Sequence, residues 1–443
     1  MKKLFGTDGI RGIAYKNITK ELVIKVASAI AYIFNRENKG IKVIIGNDGR
    51  ESANMILSTL KEELLSCGIS VLDAGLIPTP GISYLVKYYN YDLGIMISAS
   101  HNPHEYNGIK IFDKEGYKLS DDVESNIEDL IFDNIKYYST KRGIILDNRD
   151  VIKDYGNHLL DSLNKYNNNL NIGIDASNGA SSKVCEYIFS KLGSKYHIIN
   201  NAPNGTNINN NCGSTHPEVL SSYVINNKLD IGIAYDGDAD RVVFIDELGN
   251  IINGDYTLAI ISNDLKNKNR LNKNTIVGTI LSNLGLLEYC KNNDIEFITT
   301  NVGDKYVLEY LRDNNLSLGG EEAGHIILKE YCNTGDGPLT SLIMLSILAS
   351  TNTTFSNLTK IMHKYPEVHI NIKVNNKNDF ATSNIIEDSI KEIKNNFNGN
   401  YRLVVRPSGT EPLVRIVLEG EELKVLEESS NKIKSIIKNL NME

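Results

Sequence analysis

The sequence predicts an α/β protein with three related α/β domains and a small C-terminal α+β domain. One pattern, a short β-branched strand followed by a turn of small polar residues and a helix-like segment, starts near Ile41, Leu170 and Asn274. Each of these strands is apolar throughout, which favours a buried and largely parallel sheet. The starts lie about a hundred residues apart, a spacing typical of domains rather than of a solenoid.

The last part of the chain has a different pattern. From about Glu367, the segments "VHINIKV", "YRLVVRPSGT" and "LVRIVLEG" alternate apolar and polar residues, and a helix rich in Glu and Lys closes the chain. This alternation is typical of a sheet with one solvated face, so we expect a small α+β unit. The predicted domains span residues 1–150, 151–250, 251–365 and 366–443, with linkers near residues 148–153, 249–253 and 365–366.

Charge and composition exclude several classes of partner. The 443 residues carry a net charge of −8, whereas proteins that bind nucleic acid or anionic membranes present basic surfaces. No apolar run approaches the ~18 residues that cross a bilayer, and the N-terminal "MKKLFGTDGIRG" lacks the apolar core of a secretory signal. The five cysteines have no CxxC spacing, which is typical of reduced thiols. We therefore expect a cytoplasmic protein.

The segment "YDGDADRVVFID" carries three carboxylates at alternate positions directly after a strand, those of Asp236, Asp238 and Asp240. Clustered anions repel one another, and a divalent cation with hard oxygen ligands, such as Mg²⁺, stabilises them. A calcium EF-hand is excluded because its sixth position requires Gly, where this chain has Arg241, and because "VVFID" is strand-like. An acidic surface turn is the remaining alternative.

The segment "RPSGTEPLVRI" offers consecutive backbone N–H donors at Ser408, Gly409 and Thr410, with Arg406 and Arg415 nearby. Such a turn forms an anion nest, and guanidinium groups add charge-assisted hydrogen bonds to phosphate. The motif predicts a site for a phosphate monoester. The alternative is a hairpin turn with surface arginines.

The segment "LGGEEAGHIIL" places Glu321, Glu322 and His325 in a Gly-flanked loop before an apolar strand. Loop glutamates accept hydrogen bonds from sugar hydroxyls, and a histidine exchanges protons near neutral pH. Taken alone, the motif is equally typical of a solvated loop.

The segment "GIMISASHNPHEYNGIKIF" runs an apolar strand into a cluster of polar residues. By itself it is consistent with a tight connection between strands at residues 93–97 and 109–112, because Asn-Pro and Asn-Gly are turn signals. A magnesium site, a phosphate nest and a polyol-binding loop, however, require a group that carries phosphate between them. Ser100, beside His101, is the available nucleophile, and a phosphoserine there supplies an anionic oxygen to the three aspartates.

Several long motifs follow one another along the whole chain: "FGTDGIRG", "ISASHNP" with "NGIK", "NGTNINNNCGSTHPE", "DGDADR", "VGDKYV", "GGEEAGH" with "TGDG", and "RPSGTEPLVR". On these motifs the chain resembles the α-D-phosphohexomutases, and within them the branch that acts on glucosamine phosphates. The resemblance implies four domains around a central cleft, in agreement with the domain count from the strand pattern.

The resemblance also implies roles for individual residues. These are Ser100 as the phosphoserine and a metal ligand; Asp236, Asp238 and Asp240 as the other Mg²⁺ ligands; His101, Lys110, Arg11 and Arg241 at the transfer site; Glu321 and His325 at the sugar; and Arg406, Ser408, Gly409, Thr410 and Arg415 at the non-reacting phosphate.

The implied reaction interconverts glucosamine 6-phosphate and glucosamine 1-phosphate through a 1,6-bisphosphate and feeds UDP-N-acetylglucosamine and peptidoglycan precursor synthesis. The substrate is then a phosphosugar, and a kinase or a bisphosphate primer first phosphorylates Ser100. Whether the enzyme is a monomer or a homodimer stays open. The alternatives are a phosphomannomutase or phosphoglucomutase, a phosphosugar phosphatase, and a non-catalytic phosphosugar sensor.

The chain departs from the family pattern in three places. Glu322-Ala323 replaces Gln-Ser in the sugar loop, "GNDGRESA" replaces "GRDTRxSG", and Lys305 stands where Arg is usual. The first change removes a hydroxyl contact to the sugar. Because a 2-amino group is cationic near neutral pH, Glu322 is a candidate partner for the amine of glucosamine.

Overall fold

Four β-sheets follow one another along the chain in the computed structural model. The structure describes residues 4–35, 39–147, 149–163, 169–351, 353–373, 391, 400–407 and 413–439. None of the helices in these ranges is long and apolar enough to cross a membrane.

The first unit has a seven-stranded sheet in the order β1-β2-β6-β5-β3-β4-β7. Strands β3, β4, β5 and β7 run parallel, and β6 runs antiparallel to β5. The elements are β1 (Phe5–Gly6), β2 (Gly9–Ile13), α1 (Lys20–Phe34), β3 (Lys42–Asn47), α2 (Ala53–Ser66), β4 (Ser70–Leu76), α3 (Thr79–Tyr88), β5 (Leu93–Ile97), β6 (Tyr106–Asp113), α4 (Asp121–Phe132) and β7 (Ile145–Leu146).

The second unit has a five-stranded sheet in the order β12-β11-β10-β8-β9. Its elements are α5 (Val151–Asp161), β8 (Asn171–Asp175), α6 (Ser181–Lys191), β9 (Lys195–Ile199), α7 (Pro217–Asn227), β10 (Ile231–Tyr235), β11 (Val242–Asp246) and β12 (Ile251–Ile252). Because β12 pairs with β11, this sheet includes two residues that the sequence prediction assigned to the third domain.

The third unit has a four-stranded sheet in the order β14-β13-β15-β16. Its elements are α8 (Gly254–Asn267), β13 (Thr275–Thr279), α9 (Leu284–Asn292), β14 (Glu296–Thr300), α10 (Asp304–Asn314), β15 (Leu318–Gly320), β16 (Ile326–Leu328), α11 (Gly337–Thr351) and α12 (Phe355–Leu358).

The last unit is an antiparallel sheet in the order β17-β19-β18 with one helix against it. Apolar residues at alternate positions of the strands form one core with the helix, which includes Ile370, Ile416 and Leu426. Its elements are β17 (Glu367–Lys373), β18 (Tyr401–Pro407), β19 (Leu413–Gly420) and α13 (Leu423–Asn439). The α/β class with a small C-terminal unit, predicted from the sequence, is confirmed.

The first three units repeat one topology. The strand orders β4-β3-β5-β6, β9-β8-β10-β11 and β14-β13-β15-β16 are equivalent, with three parallel strands and a fourth antiparallel strand at one side. The connection from the third to the fourth strand therefore occupies the same place in each unit. These connections are residues 98–105, 236–241 and 321–325, and they carry the phosphoserine, metal and sugar motifs predicted from the sequence.

A continuous apolar core joins the three units. It includes Ile82 of the first unit, Tyr155 and Ile233 of the second, and Leu258 and Leu345 of the third. Because burying this surface favours packing of the units against one another, the three connections are held at fixed relative positions.

Candidate active site

Ser100 lies just beyond the end of β5, buried and in the left-handed region with φ of 51°. That conformation costs a non-glycine residue about 1–2 kcal/mol, so the surrounding structure must hold it. The Ser100 hydroxyl donates to Asp236 Oδ2 at 2.6 Å. The other serine of the loop, Ser98, is engaged elsewhere: its hydroxyl accepts from Ser100 N at 2.8 Å and donates to Asp48 Oδ2 at 2.6 Å. Of the two serines, Ser100 is the one whose hydroxyl faces the acidic cluster.

The carboxylates of Asp236, Asp238 and Asp240 are buried together, with ligand oxygens within 4.8 Å of one another. Burial raises the pKa of Asp236 well above its usual value, and the charges of the other two aspartates raise it further. Burial also acts to raise the pKa of Asp240, but the charges of Lys110 and His325 outweigh it and hold that pKa below its usual value. The cluster is an acidic site that a cation would stabilise.

Two oxygens of this cluster are placed to accept a cation. Oδ1 of Asp238 and Oδ1 of Asp240 are buried and have no hydrogen-bond partner among the described residues. Asp238 Oδ2, by contrast, accepts from the Thr79 hydroxyl at 2.5 Å and from Lys110 Nζ at 2.8 Å. Unpartnered buried carboxylate oxygens are unusual and match the hard ligands that divalent cations take. The residues therefore fit a metal site.

The ammonium group of Lys110 lies between three carboxylates. Its Nζ is 2.8 Å from Asp238 Oδ2, 2.8 Å from Asp8 Oδ2 and 3.3 Å from Asp240 Oδ2. Burial acts to lower the pKa of this lysine, but the three carboxylates raise it well above its usual value. Lys110 is therefore charged and offsets part of the negative charge of the site.

A chain of charges joins the first unit to the third. Asp8 bonds Arg11 Nη2 and Lys118 Nζ, each at 2.5 Å, and the same Lys118 bonds Asp304 Oδ2 at 2.5 Å. Asp304 begins α10 in the "VGDKYV" motif, and its Oδ2 lies 3.6 Å from His325 Nε2. These contacts bring the first-unit and third-unit sides of the site together.

His101 lies beside Ser100, with Nδ1 3.5 Å from Ser100 Oγ. Burial lowers the pKa of His101 to about 4, with the cationic Arg241 and Arg11 contributing in the same direction. The imidazole is therefore neutral near pH 7 and can accept a proton from a neighbouring hydroxyl.

The loop at residues 321–325 lies against the metal-binding loop. Val242 N donates to Gly324 O at 3.1 Å, and Gly303 N donates to Glu321 Oε1 at 3.0 Å. One carboxylate oxygen of Glu321 therefore accepts a hydrogen bond from the backbone of the "VGDKYV" segment. Its nearly complete burial fits a side chain held in one orientation.

Two further predicted residues complete the side of the site formed by the second and third units. His325 is buried and accepts from Gly335 N through Nε2 at 3.2 Å, and its Nδ1 has no hydrogen-bond partner among the described residues. At 3.6 Å, the approach of this Nε2 to Asp304 is too long for a hydrogen bond. Arg241 donates from its backbone N to Asp236 Oδ1 at 3.2 Å, and its Nε is 3.9 Å from Asp240 Oδ1.

Glu322 has partners that the sequence did not predict. Its Oε1 accepts from Asn253 Nδ2 and from Lys364 Nζ, both at 3.0 Å. Because these groups already compensate its charge, the contact between Glu322 and the sugar amine that the sequence suggested loses its support.

The phosphate-binding motif is described in part. Arg406 and Arg415 stand opposite each other in the β18–β19 pair. The Arg406 side chain and residues 408–412, which include Ser408, Gly409 and Thr410, lie outside the described residues. The phosphate nest therefore stays a prediction.

Several residues of the site were not predicted. Asp8, Arg50 and Asn209 lie in motifs that the sequence analysis quoted, and Thr79 and Lys118 lie outside them. Each has a contact in the site with a residue far away in the sequence; Thr79, for example, donates a hydrogen bond to Asp238. Local sequence patterns do not indicate such a pairing.

Comparison with known proteins gives the family. Models of the phosphoglucomutase/phosphomannomutase domains match along the chain: α/β/α domain I at residues 2–138, domain II at 153–249, domain III at 253–365 and the C-terminal domain at 370–434. The phosphoglucosamine mutase of Caldicellulosiruptor bescii is 44% identical over 444 residues, which cover 99% of each chain. The chain belongs to the phosphoglucosamine mutase family.

Solved structures show the fold of this phosphoglucosamine mutase family member in more distant proteins. A phosphoglucomutase/phosphomannomutase family protein of Burkholderia thailandensis superposes with a TM-score of 0.82 at 22% identity, covering 99% of this chain and 98% of the other. The N-acetylphosphoglucosamine mutase of Aspergillus fumigatus, solved in complex with GlcNAc-6P and magnesium, gives a TM-score of 0.72 at 15% identity, covering 99% and 96%. The predicted enzyme class, an isomerase of the phosphohexomutase type, is confirmed by the family.

Proposed function

We propose that the protein interconverts glucosamine 6-phosphate and glucosamine 1-phosphate, with Ser100 as the phosphoryl carrier. The observation that carries this proposal is the hydroxyl of Ser100, which is buried, strained and directed at Asp236 at 2.6 Å while Ser98 is fully engaged. A serine held in this way beside an acidic cluster is placed to carry a phosphoryl group next to a cation.

In the proposed reaction, the bond between phosphorus and Ser100 Oγ breaks as a bond forms to O1 of glucosamine 6-phosphate. The O1 hydroxyl loses its proton and Ser100 Oγ gains one, so the step is balanced without another reactant. His101 is neutral and 3.5 Å from Ser100 Oγ, where it can exchange that proton. Lys110 supplies positive charge near the transferring group, so the protein contributes mainly positioning and electrostatic stabilisation.

Mg²⁺ is the proposed metal. Asp236, Asp238 and Asp240 would hold it together with an oxygen of phosphorylated Ser100. When bound, it neutralises charge on the phosphoryl oxygens. The unpartnered Oδ1 atoms of Asp238 and Asp240 support this assignment.

The resulting 1,6-bisphosphate returns a phosphoryl group to Ser100 from O6. We assign Arg11 and Arg241 to the transferring phosphate, and Glu321 and His325 to the sugar hydroxyls. The other phosphate is assigned to the last unit, at Arg406, Ser408, Gly409, Thr410 and Arg415.

The cellular context belongs to the same proposal. The reaction would take place in the cytoplasm and supply UDP-N-acetylglucosamine and peptidoglycan precursors, with a kinase or a bisphosphate as the source of the first phosphoryl group. With the second boundary moved to residue 252, we keep four domains that end at residues 150, 252, 365 and 443.

The choice of sugar is tested by comparing kcat/KM for glucosamine 6-phosphate, glucose 6-phosphate and mannose 6-phosphate, each with its bisphosphate primer. We expect at least a tenfold preference for the amino sugar, equivalent to ~1.4 kcal/mol in the transition state. A preference for glucose or mannose phosphate would instead favour the second candidate, a phosphoglucomutase or phosphomannomutase. The pairing of Glu322 with Lys364 is the observation that keeps this candidate open, because it leaves the amine without that counter-charge.

A further inference from the structure

The guanidinium of Arg50 is buried beneath the Ser100 loop. Its Nη2 donates to Ser100 O at 2.7 Å and to Asn102 O at 2.8 Å, and its Nη1 donates to Tyr106 O at 3.0 Å and to Pro103 O. The fifth N–H, on Nε, donates to an aspartate within the same unit at 2.8 Å. All five donors of the group are therefore used, three of them on carbonyls of the loop at residues 98–105 and one on the carbonyl of Tyr106, the first residue of β6.

Asn209 reaches the same loop from the second unit. Its Nδ2 donates to Ser100 O at 2.9 Å and to Asn102 O at 3.2 Å, the two carbonyls that Arg50 Nη2 also binds. The asparagine is itself fixed, since its backbone N donates to Ser177 O at 3.0 Å. The Ser100 peptide is thus held from two units at once.

The metal-binding loop packs against this same point. A Cβ built at Gly237, between two of the three aspartates, would lie 2.7 Å from both Asn209 Nδ2 and Ser100 O. The absence of a side chain at this position lets the metal-binding loop approach the carbonyl that Arg50 and Asn209 bind.

We propose that Arg50 and Asn209 are positioning residues that jointly hold the carbonyl of Ser100 and thereby direct its hydroxyl at Asp236. Fixing this carbonyl holds the peptide plane that follows Ser100 Cα, and the bond from Ser100 N to the Ser98 hydroxyl holds the plane before it. The backbone of Ser100 is therefore fixed on both sides in its left-handed conformation, and the hydroxyl direction follows from that backbone. The geometry of the phosphoryl carrier therefore depends on the docking of the second unit on the first. The inference rests on the proposed role of Ser100.

The test uses Asn209→Ala in the full-length protein, with Asn210→Ala as the matched control. Asn210 is exposed in the same segment, and among the described residues its side chain makes no hydrogen bond to the loop at residues 98–105. With glucosamine 6-phosphate as substrate and its 1,6-bisphosphate as primer, we expect Asn209→Ala to lower kcat about 10- to 100-fold, because small misplacements of reacting groups have effects of this size. KM should change less than threefold, and Asn210→Ala should stay within twofold of wild type.

A second variant separates positioning from general stability. Arg50→Lys keeps the charge but cannot span four carbonyls, and combined with Asn209→Ala it should lower kcat by less than the product of the two single effects, because both act on the same carbonyl. If Arg50→Lys does not fold, the Asn209→Ala result alone decides the inference.

The outcomes distinguish this inference from the proposed function. If Ser100→Ala is inactive while Asn209→Ala keeps the kcat of the wild type, the positioning role is wrong and the phosphoserine stands. If Ser100→Ala itself turns over substrate, both fail. A loss of thermal stability in Asn209→Ala with unchanged kcat would also overturn the inference, since it would show a purely structural role.

Discussion

The loops at residues 98–105 and 321–325 occupy the same place in the first and third units, yet they are held in different ways. The first is fastened from beneath by the buried Arg50, and its key hydroxyl is bonded to a buried carboxylate. The second is held partly by a partly buried ion pair, Glu322 with Lys364. The comparison indicates that the loop at residues 98–105 is held by buried contacts, some of them from the second unit, whereas the loop at residues 321–325 is held in part by an ion pair within its own unit.

The partner of the sugar loop lies next to the last unit. Lys364 bonds Glu322 Oε1 at 3.0 Å and Glu367 Oε1 at 2.7 Å, and Glu367 begins β17. Lys364 thus connects the sugar loop to the first strand of the unit that carries the predicted phosphate nest.

The largest expected effect lies in the transfer centre. Asp238→Asn removes a charge and keeps the size of the side chain, so we expect the fold to persist and kcat to fall at least about 100-fold, in line with losses of one electrostatic group from an active site. Chelation should abolish turnover of the wild type, and Mg²⁺ should restore it. Full activity of the wild type in excess chelator would exclude the metal site.

A smaller effect is expected for the loop at residues 321–325. Glu322→Gln leaves the hydrogen bond from Asn253 but removes the charge that faces Lys364, which keeps its ion pair with Glu367. Ion pairs that are partly exposed to solvent are worth only about 0–1 kcal/mol. We expect KM for glucosamine 6-phosphate to change by no more than about fivefold with kcat nearly unchanged. Lys364→Met should give a similar change, and a kcat loss as large as that of Asp238→Asn would show that the two loops are equally critical.

The smallest expected effect is on the stability of the protein, and it comes from Asp255, which lies near Glu322. Burial, together with the nearby Glu322, raises the pKa of Asp255 to about 8. An aspartate in the unfolded chain titrates near pH 4, so between about pH 4 and pH 8 the folded state binds one more proton and stability falls as the pH rises.

Asp255→Asn removes that dependence and keeps an acceptor for Asn283 N, which bonds Asp255 Oδ2 at 2.8 Å. The stability of the variant relative to the wild type should therefore increase as the pH rises from 5 to 8. At pH 8 its apparent Tm should be a few degrees higher than that of the wild type. Thermal unfolding at the two pH values measures this. A difference between the variant and the wild type that does not change with pH would contradict the protonated state of Asp255.

Much of the fold and part of the site could be predicted from the sequence. Apolar strands followed by small polar turns marked β3, β8 and β13, and the spacing of Asp236, Asp238 and Asp240 pointed to a metal site that the structure assembles. These features depend on residues close together in the chain.

The remainder depends on pairs that are distant in the chain. Arg50 with Ser100 O, Asn209 with Ser100 O, and Lys118 between Asp8 and Asp304 each join segments whose local patterns carry no trace of the partner. The sequence marked Ser100 as a nucleophile, but only the packing of the units explains its orientation.

The most direct test of the account follows one phosphoryl group. The purified protein is labelled with radioactive phosphate, the labelled peptide is identified, and the label is followed through a single turnover with glucosamine 6-phosphate. The account predicts that the label resides on Ser100, is absent from Ser100→Ala, and moves into the sugar phosphates within one turnover. Label on another residue, or label that stays on Ser100 while glucosamine 1-phosphate forms, would contradict it.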